Sequence, residues 1–175
     1  MMIKTITGKS QIDNCLALVT EMTEYRTELS ARWLARNGWK VAPAESAGRF
    51  FFEDIPRIVS ALNAAGHYKC FAVTTEDLGD TPPCYIVPIA EEGFRELNEK
   101  LGAFQFLLTD EARSWAISCT VFYNLFAGPD NLVEAMLGKP VAEAQNAFLQ
   151  MATEIAKARG DPDEFLLKVA RRYTT

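Results

Sequence analysis

The sequence predicts an α+β fold, a mostly antiparallel sheet of about five strands with helices packed on its apolar face. Helical and strand periodicities come in blocks rather than in a regular β-α-β-α alternation, which argues against a doubly wound parallel sheet. Residues 104–127 alternate apolar and polar positions in short runs, the signature of a three-stranded meander. Glycine or proline stands at most of the block boundaries, where breaks in regular structure belong.

Taken in order, residues 11–28 place Ile12, Cys15, Leu16, Val19, Met22 and Tyr25 on one helical face, with Ser10 as the expected N-cap. A second helix is expected over 29–37, carrying Trp33 and Leu34 and stopped by Gly38. Residues 39–53 look irregular, with Trp39, Pro43, Gly48 and the triplet Phe50, Phe51 and Phe52. Three consecutive phenylalanines cannot share one face. They form a short strand buried on both sides or a segment tucked under the core, or else they anchor a partner. Asp54 and Pro56 start the next helix, whose inward residues are Ile55, Ile58, Val59 and Leu62 and whose stop is Gly66.

Strands are expected at 68–75 and 84–89, separated by an acidic, Gly- and Pro-containing loop. Pro88 cannot donate to a ladder, so its strand end belongs at an edge or bulge. Residues 90–101 form a helix with Phe94, Leu97 and Leu101 inward, ended by Gly102.

The meander carries most of the fold prediction. Pairing Leu108 opposite Trp115 and Ile117 opposite Leu125 gathers Phe104, Phe106, Leu108, Trp115, Ile117, Cys119, Tyr123, Leu125 and Ala127 on one face. The other face then holds mainly Gln, Thr, Ser and Asn, with Leu107 and Phe126 as exceptions. Beyond it, Pro129 opens a helix with Leu132, Val133, Met136 and Leu137, closed by Gly138. Pro140 opens the longest one, with Val141, Ala144, Phe148, Met151 and Ile155 as its stripe and Gly160 at its end. Asp161, Pro162 and Asp163 start a last helix with Phe165, Leu166 and Val169, and Lys168, Arg171 and Arg172 suit its C-terminal dipole.

A chain of 175 residues with 49% hydrophobic and 23% charged content is expected to form a single globular domain spanning 1–175. Its formal charge of −5 lowers the expectation of a general nucleic-acid binder, for which only Arg26, Arg32 and Arg36 speak. No window resembles a signal peptide or a membrane span, so a cytoplasmic protein without membrane association is expected.

Chemistry-bearing patterns are sparse. Phosphate-loop, dinucleotide, nucleophile-elbow and zinc-helix motifs are missing from the text. The cysteines Cys15, Cys70, Cys84 and Cys119 lie in apolar stretches without C-x-x-C spacing, as packed thiols do. His67 is the only histidine, and a catalytic use would require a thiol such as Cys70 within reach. No cofactor, metal ligand or catalytic residue is assigned. Trp115 is expected in the core of the meander, and Arg113, Asp110 and Tyr123 are expected to border a small pocket.

The function expected is that of a non-enzymatic protein-interaction module, an inhibitor, immunity or regulatory protein acting on a protein partner or on itself. Its candidate contact residues are Trp39, Phe50, Phe51, Phe52, Arg113, Trp115 and Tyr123, since aromatic anchors dominate interface energetics. The alternative is a small-molecule-binding protein or enzyme with a pocket between sheet and helices, using Arg113, Tyr123, Cys70 or His67.

Overall fold

A computed structural model describes residues 2–25, 27–159 and 164–174. Its first half runs β1 (Lys4–Thr5), α1 (Lys9–Met22), β2 (Thr23–Glu24), β3 (Glu28–Leu29), α2 (Ala31–Asn37), β4 (Val41–Glu45) and α3 (Ile55–Ala64). Then come β5 (Lys69–Thr74), β6 (Cys84–Pro88), α4 (Glu91–Leu101), β7 (Phe106–Thr109), β8 (Ala116–Cys119) and β9 (Tyr123–Ala127). The chain closes with α5 (Asp130–Leu137), α6 (Val141–Arg159) and α7 (Phe165–Tyr173).

The class is α+β. The main sheet has seven strands rather than five, in the order β1-β6-β5-β7-β8-β9-β4, and β2 and β3 form a separate ribbon. Every pairing in the main sheet is antiparallel. The strands that sequence reasoning missed are the outermost ones. β1 has only two residues. β4 carries Pro43, which an edge strand tolerates because one side of it has no ladder partner. Helix α6 covers that edge, and Gln145 Nε2 donates to the Val41 carbonyl at 2.9 Å. Pro88 obeys the same rule: β1 pairs only with Tyr85 and Ile86, so β6 is unflanked on that side where Pro88 sits.

The expectation of a single apolar face is corrected, because helices cover both faces. On one, α3, α4 and α5 bring Ile58, Leu62, Phe94, Leu97 and Met136 onto Ala72, Val87, Phe106, Leu108, Ile117 and Phe126. On the other, α1, α2, α6 and α7 bring Leu18, Trp33, Phe148 and Val169 onto Leu107, Ala116, Tyr123, Leu125 and Ala127. Helix α6 serves both layers. Its Val141 and Ala144 pack in the first and its Phe148 and Ala152 in the second.

The register explains the difference. Leu108 pairs with Ile117, two residues from the expected Trp115, so face parity survives and Phe106, Leu108, Trp115, Ile117 and Cys119 do share one layer. Ile117 pairs with Phe126 instead of Leu125. That single-residue offset turns Tyr123, Leu125 and Ala127 to the opposite face and brings Phe126 inward. The polar strand residues are not solvent-facing either. Thr109 and Ser118 are buried, and their hydroxyls donate to Trp115 O and Thr27 O, each at 2.7 Å. Phe104 precedes β7 and is exposed.

Helix boundaries follow their caps. α2 begins with Ser30 Oγ accepting from Trp33 N at 3.3 Å and ends at Gly38, whose φ of 66° is left-handed. Gly8, not Ser10, occupies the N-cap position of α1, which stops at Met22 and buries Cys15, Leu18 and Met22. Leu16 and Tyr25, placed on the buried face by period alone, are exposed. The expected breaks at Gly160 and at Asp161, Pro162 and Asp163, and Arg26 of the basic trio, lie outside the described residues.

Candidate functional site

The turn from β7 to β8 is held by one side chain. Asp110 Oδ1 accepts the Ser114 backbone N–H at 2.7 Å, and the Ser114 hydroxyl donates to Asp110 Oδ2. Asp110 O accepts from Arg113 N at 3.2 Å. This closure leaves Arg113 at φ 56°, a left-handed conformation that costs a non-glycine residue about 1 kcal/mol or more. Across the turn, His67 Nδ1 stands 3.4 Å from Asp110 Oδ2, and the His67 ring meets Trp115 edge-on at 5.9 Å. Trp115 is fully buried, and among the described residues its indole Nε1 has no hydrogen-bond partner.

His67, Asp110 and Ser114 thus form a chain with the carboxylate in the middle. In a nucleophilic triad the imidazole stands between serine and acid, so that it can take the hydroxyl proton. Here Ser114 donates to Asp110, and the three groups clasp a turn. Among the described residues no hydrogen bond joins His67 to Cys70, the contact that a catalytic pair would need. The Cys70 thiol is buried and pushed up, by burial first and by the Asp110 carboxylate second. Burial likewise raises Cys15 and Cys119, and it lifts Cys84 to about 12. None of these thiols is a ready thiolate at neutral pH.

The seven contact candidates are scattered. Trp39 is half-buried, edge-on to the buried Trp33 at 5.3 Å. The phenylalanine triplet is neither a strand nor a single anchor. Phe50 is buried against Phe94 at 5.2 Å, Phe51 is half-buried and Phe52 is exposed. Asn98 imposes this split: its Oδ1 accepts from Phe50 N and its Nδ2 donates to Phe50 O, both at 2.9 Å. Trp115 and Tyr123 lie on opposite faces of the sheet, and of the residues expected to border a pocket with Asp110, Arg113 turns toward Glu21 of α1 while Tyr123 packs against Phe148 of α6.

Two surface features were not foreseen. The first is an aromatic end. Phe122, 59% exposed in the β8–β9 turn, meets Phe165, 47% exposed, in a T-shaped contact at 6.2 Å. Phe104, at 42%, borders a shallow pit of about 10 Å³, room for a single water, together with Ser46, Thr120 and Asn124. Ser46 N donates to Phe122 O and Ser46 Oγ to Thr120 O, each at 3.2 Å, which ties the start of the 46–54 loop to this end. A signal was available in the adjacent pair Phe122 and Tyr123, since neighbours on an extended chain point to opposite sides.

The second is an open cleft of about 500 Å³ between α1 and the sheet. Leu18, Phe71 and Ile86 are among its apolar residues, and Lys69, Glu111 and Arg113 are among its polar ones. Arg113 Nε lies 2.7 Å from Glu21 Oε2, and Glu21 is shared with Arg36 at 3.2 Å.

No protein-family model, curated protein or solved structure matches this chain. Its function is therefore argued from its own geometry. Among the described residues no helix is long and apolar enough to cross a membrane, and no three His, Cys, Asp or Glu side chains converge as a metal site would require.

Proposed function

We propose that the chain is a binding module that docks a protein partner through its aromatic end. One observation carries this: three exposed phenylalanines, Phe104, Phe122 and Phe165, where Phe122 meets Phe165, Phe104 borders Ser46 and Thr120, and Ser46 is tied to Phe122 and Thr120 by hydrogen bonds. Large apolar rings held on a rigid frame bind with little ordering cost, and such rings supply most interface energy. Exposing them without a partner gains nothing for a folded chain.

The test is a pull-down with the wild-type chain and with Phe122→Ser, alongside light scattering of both. Partners captured by the wild type and lost by the variant support docking at this end, as does self-association abolished by the substitution. A monomer that captures the same proteins with and without Phe122 would overturn it.

A second reading, a small-molecule binder, is favoured by the cleft under α1, whose size suits a ligand. A thermal-shift screen against metabolites tests it, since a ligand at 100 times its Kd adds about 2.7 kcal/mol. Melting that stays flat across a broad library would remove that reading.

A further inference from the structure

The cleft under α1 is divided into two chemical zones. Its inner wall is apolar: Ile6 and Leu18 are buried, and Phe71 and Ile86 are half-buried, so their remaining surface faces the opening. Its mouth is charged. Lys69 and Arg113 stand there against a single carboxylate, Glu111, so the lining carries a formal +1. Glu21 touches Arg113 at 2.7 Å but is itself balanced by Arg36.

Both cations have capacity left. Among the described residues no carboxylate lies within 4.0 Å of the Lys69 ammonium, the N···O limit for a salt bridge. Arg113 Nε lies 2.7 Å from Glu21 Oε2 without a hydrogen bond to it, and Nη1 donates to the Glu111 carbonyl at 3.2 Å, which leaves Nη2 without a described partner. The left-handed backbone at Arg113 is consistent with this placement, because strain of this kind persists where the surroundings hold a residue in place for use. On the helix side, the Gln11 and Asn14 amides line the same opening and make no side-chain hydrogen bond to a described residue.

We infer that this cleft binds a monoanionic amphiphile, an apolar chain or ring bearing one carboxylate. The inference rests on the small-molecule reading and names its ligand class. The apolar body lies on Phe71 and Ile86, which gains about 25 cal/mol for each Å² removed from water. The carboxylate sits at the mouth between Lys69 and Arg113, where it cancels the +1 of the lining. A cationic amphiphile meets two like charges in the same place, and a polyanion brings more charge than the mouth offsets.

The probes are decanoate, decanol and decylammonium, titrated by calorimetry into the full chain, with the amide resonances of Phe71 and Ile86 followed in parallel. Decanoate is expected to bind about tenfold more tightly than decanol, with decylammonium weakest, and to shift both resonances. Lys69→Gln, at an exposed strand position, weakens decanoate about fivefold and leaves decanol unchanged. Ala17→Trp, on an exposed position of α1 that lines the cleft, blocks decanoate and decanol alike. Equal binding of the three probes at Phe71 and Ile86 overturns the anionic assignment and leaves the small-molecule reading standing. Failure of every probe to perturb these residues overturns the amphiphile itself, and the metabolite screen then judges that reading independently.

Discussion

The Asp110 carboxylate accepts the Ser114 backbone N–H at 2.7 Å, and that bond lets one turn face both layers of the molecule. On one side of the turn His67 and Trp115 meet, and on the other Arg113 reaches Glu21. Removing the carboxylate leaves a half-buried N–H and a hydroxyl without their acceptor. Asp110→Ala is therefore expected to destabilise the chain by about 2–3 kcal/mol, read by urea denaturation. Asp110→Asn keeps an acceptor for Ser114 N and is expected to lose about half as much. Equal losses in the two variants would show that the charge, not the turn closure, is what counts.

Asn98 holds Phe50 in the core with two hydrogen bonds at 2.9 Å. Asn98→Ala orphans a buried N–H and a buried carbonyl, so a loss of about 2–3 kcal/mol is expected. Hydrogen exchange at the Phe50 amide should accelerate by at least the corresponding factor. Unchanged protection there would mean that the loop is held by other contacts.

Trp115 is fully buried with an indole N–H that has no partner among the described residues. Phenylalanine in its place forfeits packing but no hydrogen bond, so Trp115→Phe should cost only about 1–2 kcal/mol. Trp115→Ala empties the site and should cost about 3–5 kcal/mol. Chemical denaturation of both variants separates the volume effect from any role of the N–H.

Alkaline pH should weaken the fold. Burial raises the Cys84 thiol from 9.0 to about 12, and the Tyr173 hydroxyl from 10.0 to about 12. The unfolded chain then loses these protons first, so ∂ΔG/∂pH is negative between the two values. Stability is complete below pH 9 and declines as pH rises toward 12. The Tm at pH 8 should exceed that at pH 9.5 and more so that at pH 11, with a shallower decline in Cys84→Ala. A Tm that is level over this interval would contradict the burial of both groups.

Much of the frame was legible in the text. Gly38 and Gly138 stop their helices in left-handed backbone because they do so locally, with no help from distant residues. Phe94, Leu97 and Leu101 fall inward because one helix buries one stripe. Register was harder. A period of two fixes which residues share a face within a strand, and so Phe106 and Trp115 were placed together correctly. It does not fix how strands meet when both faces are covered, and Tyr123 went to the wrong layer. Thr109 and Ser118 misled for a related reason: a hydroxyl with an internal acceptor is as much at home under a helix as in water. The surface features were the least legible. The cleft joins α1, β5 and the β7–β8 turn, and the aromatic end joins residues 104, 122 and 165, so both exist only after the chain has closed.

Helix α6 passes from one layer to the other around the β4 margin, pinned there by Gln145. A strut that spans two compartments makes their fates common. Prying α6 away strips a boundary strand of its cover and opens both interiors to solvent at once. Local breathing on either side is thereby coupled to the other, and a sheet rim that would otherwise be available to stray chains stays capped for as long as the molecule remains folded.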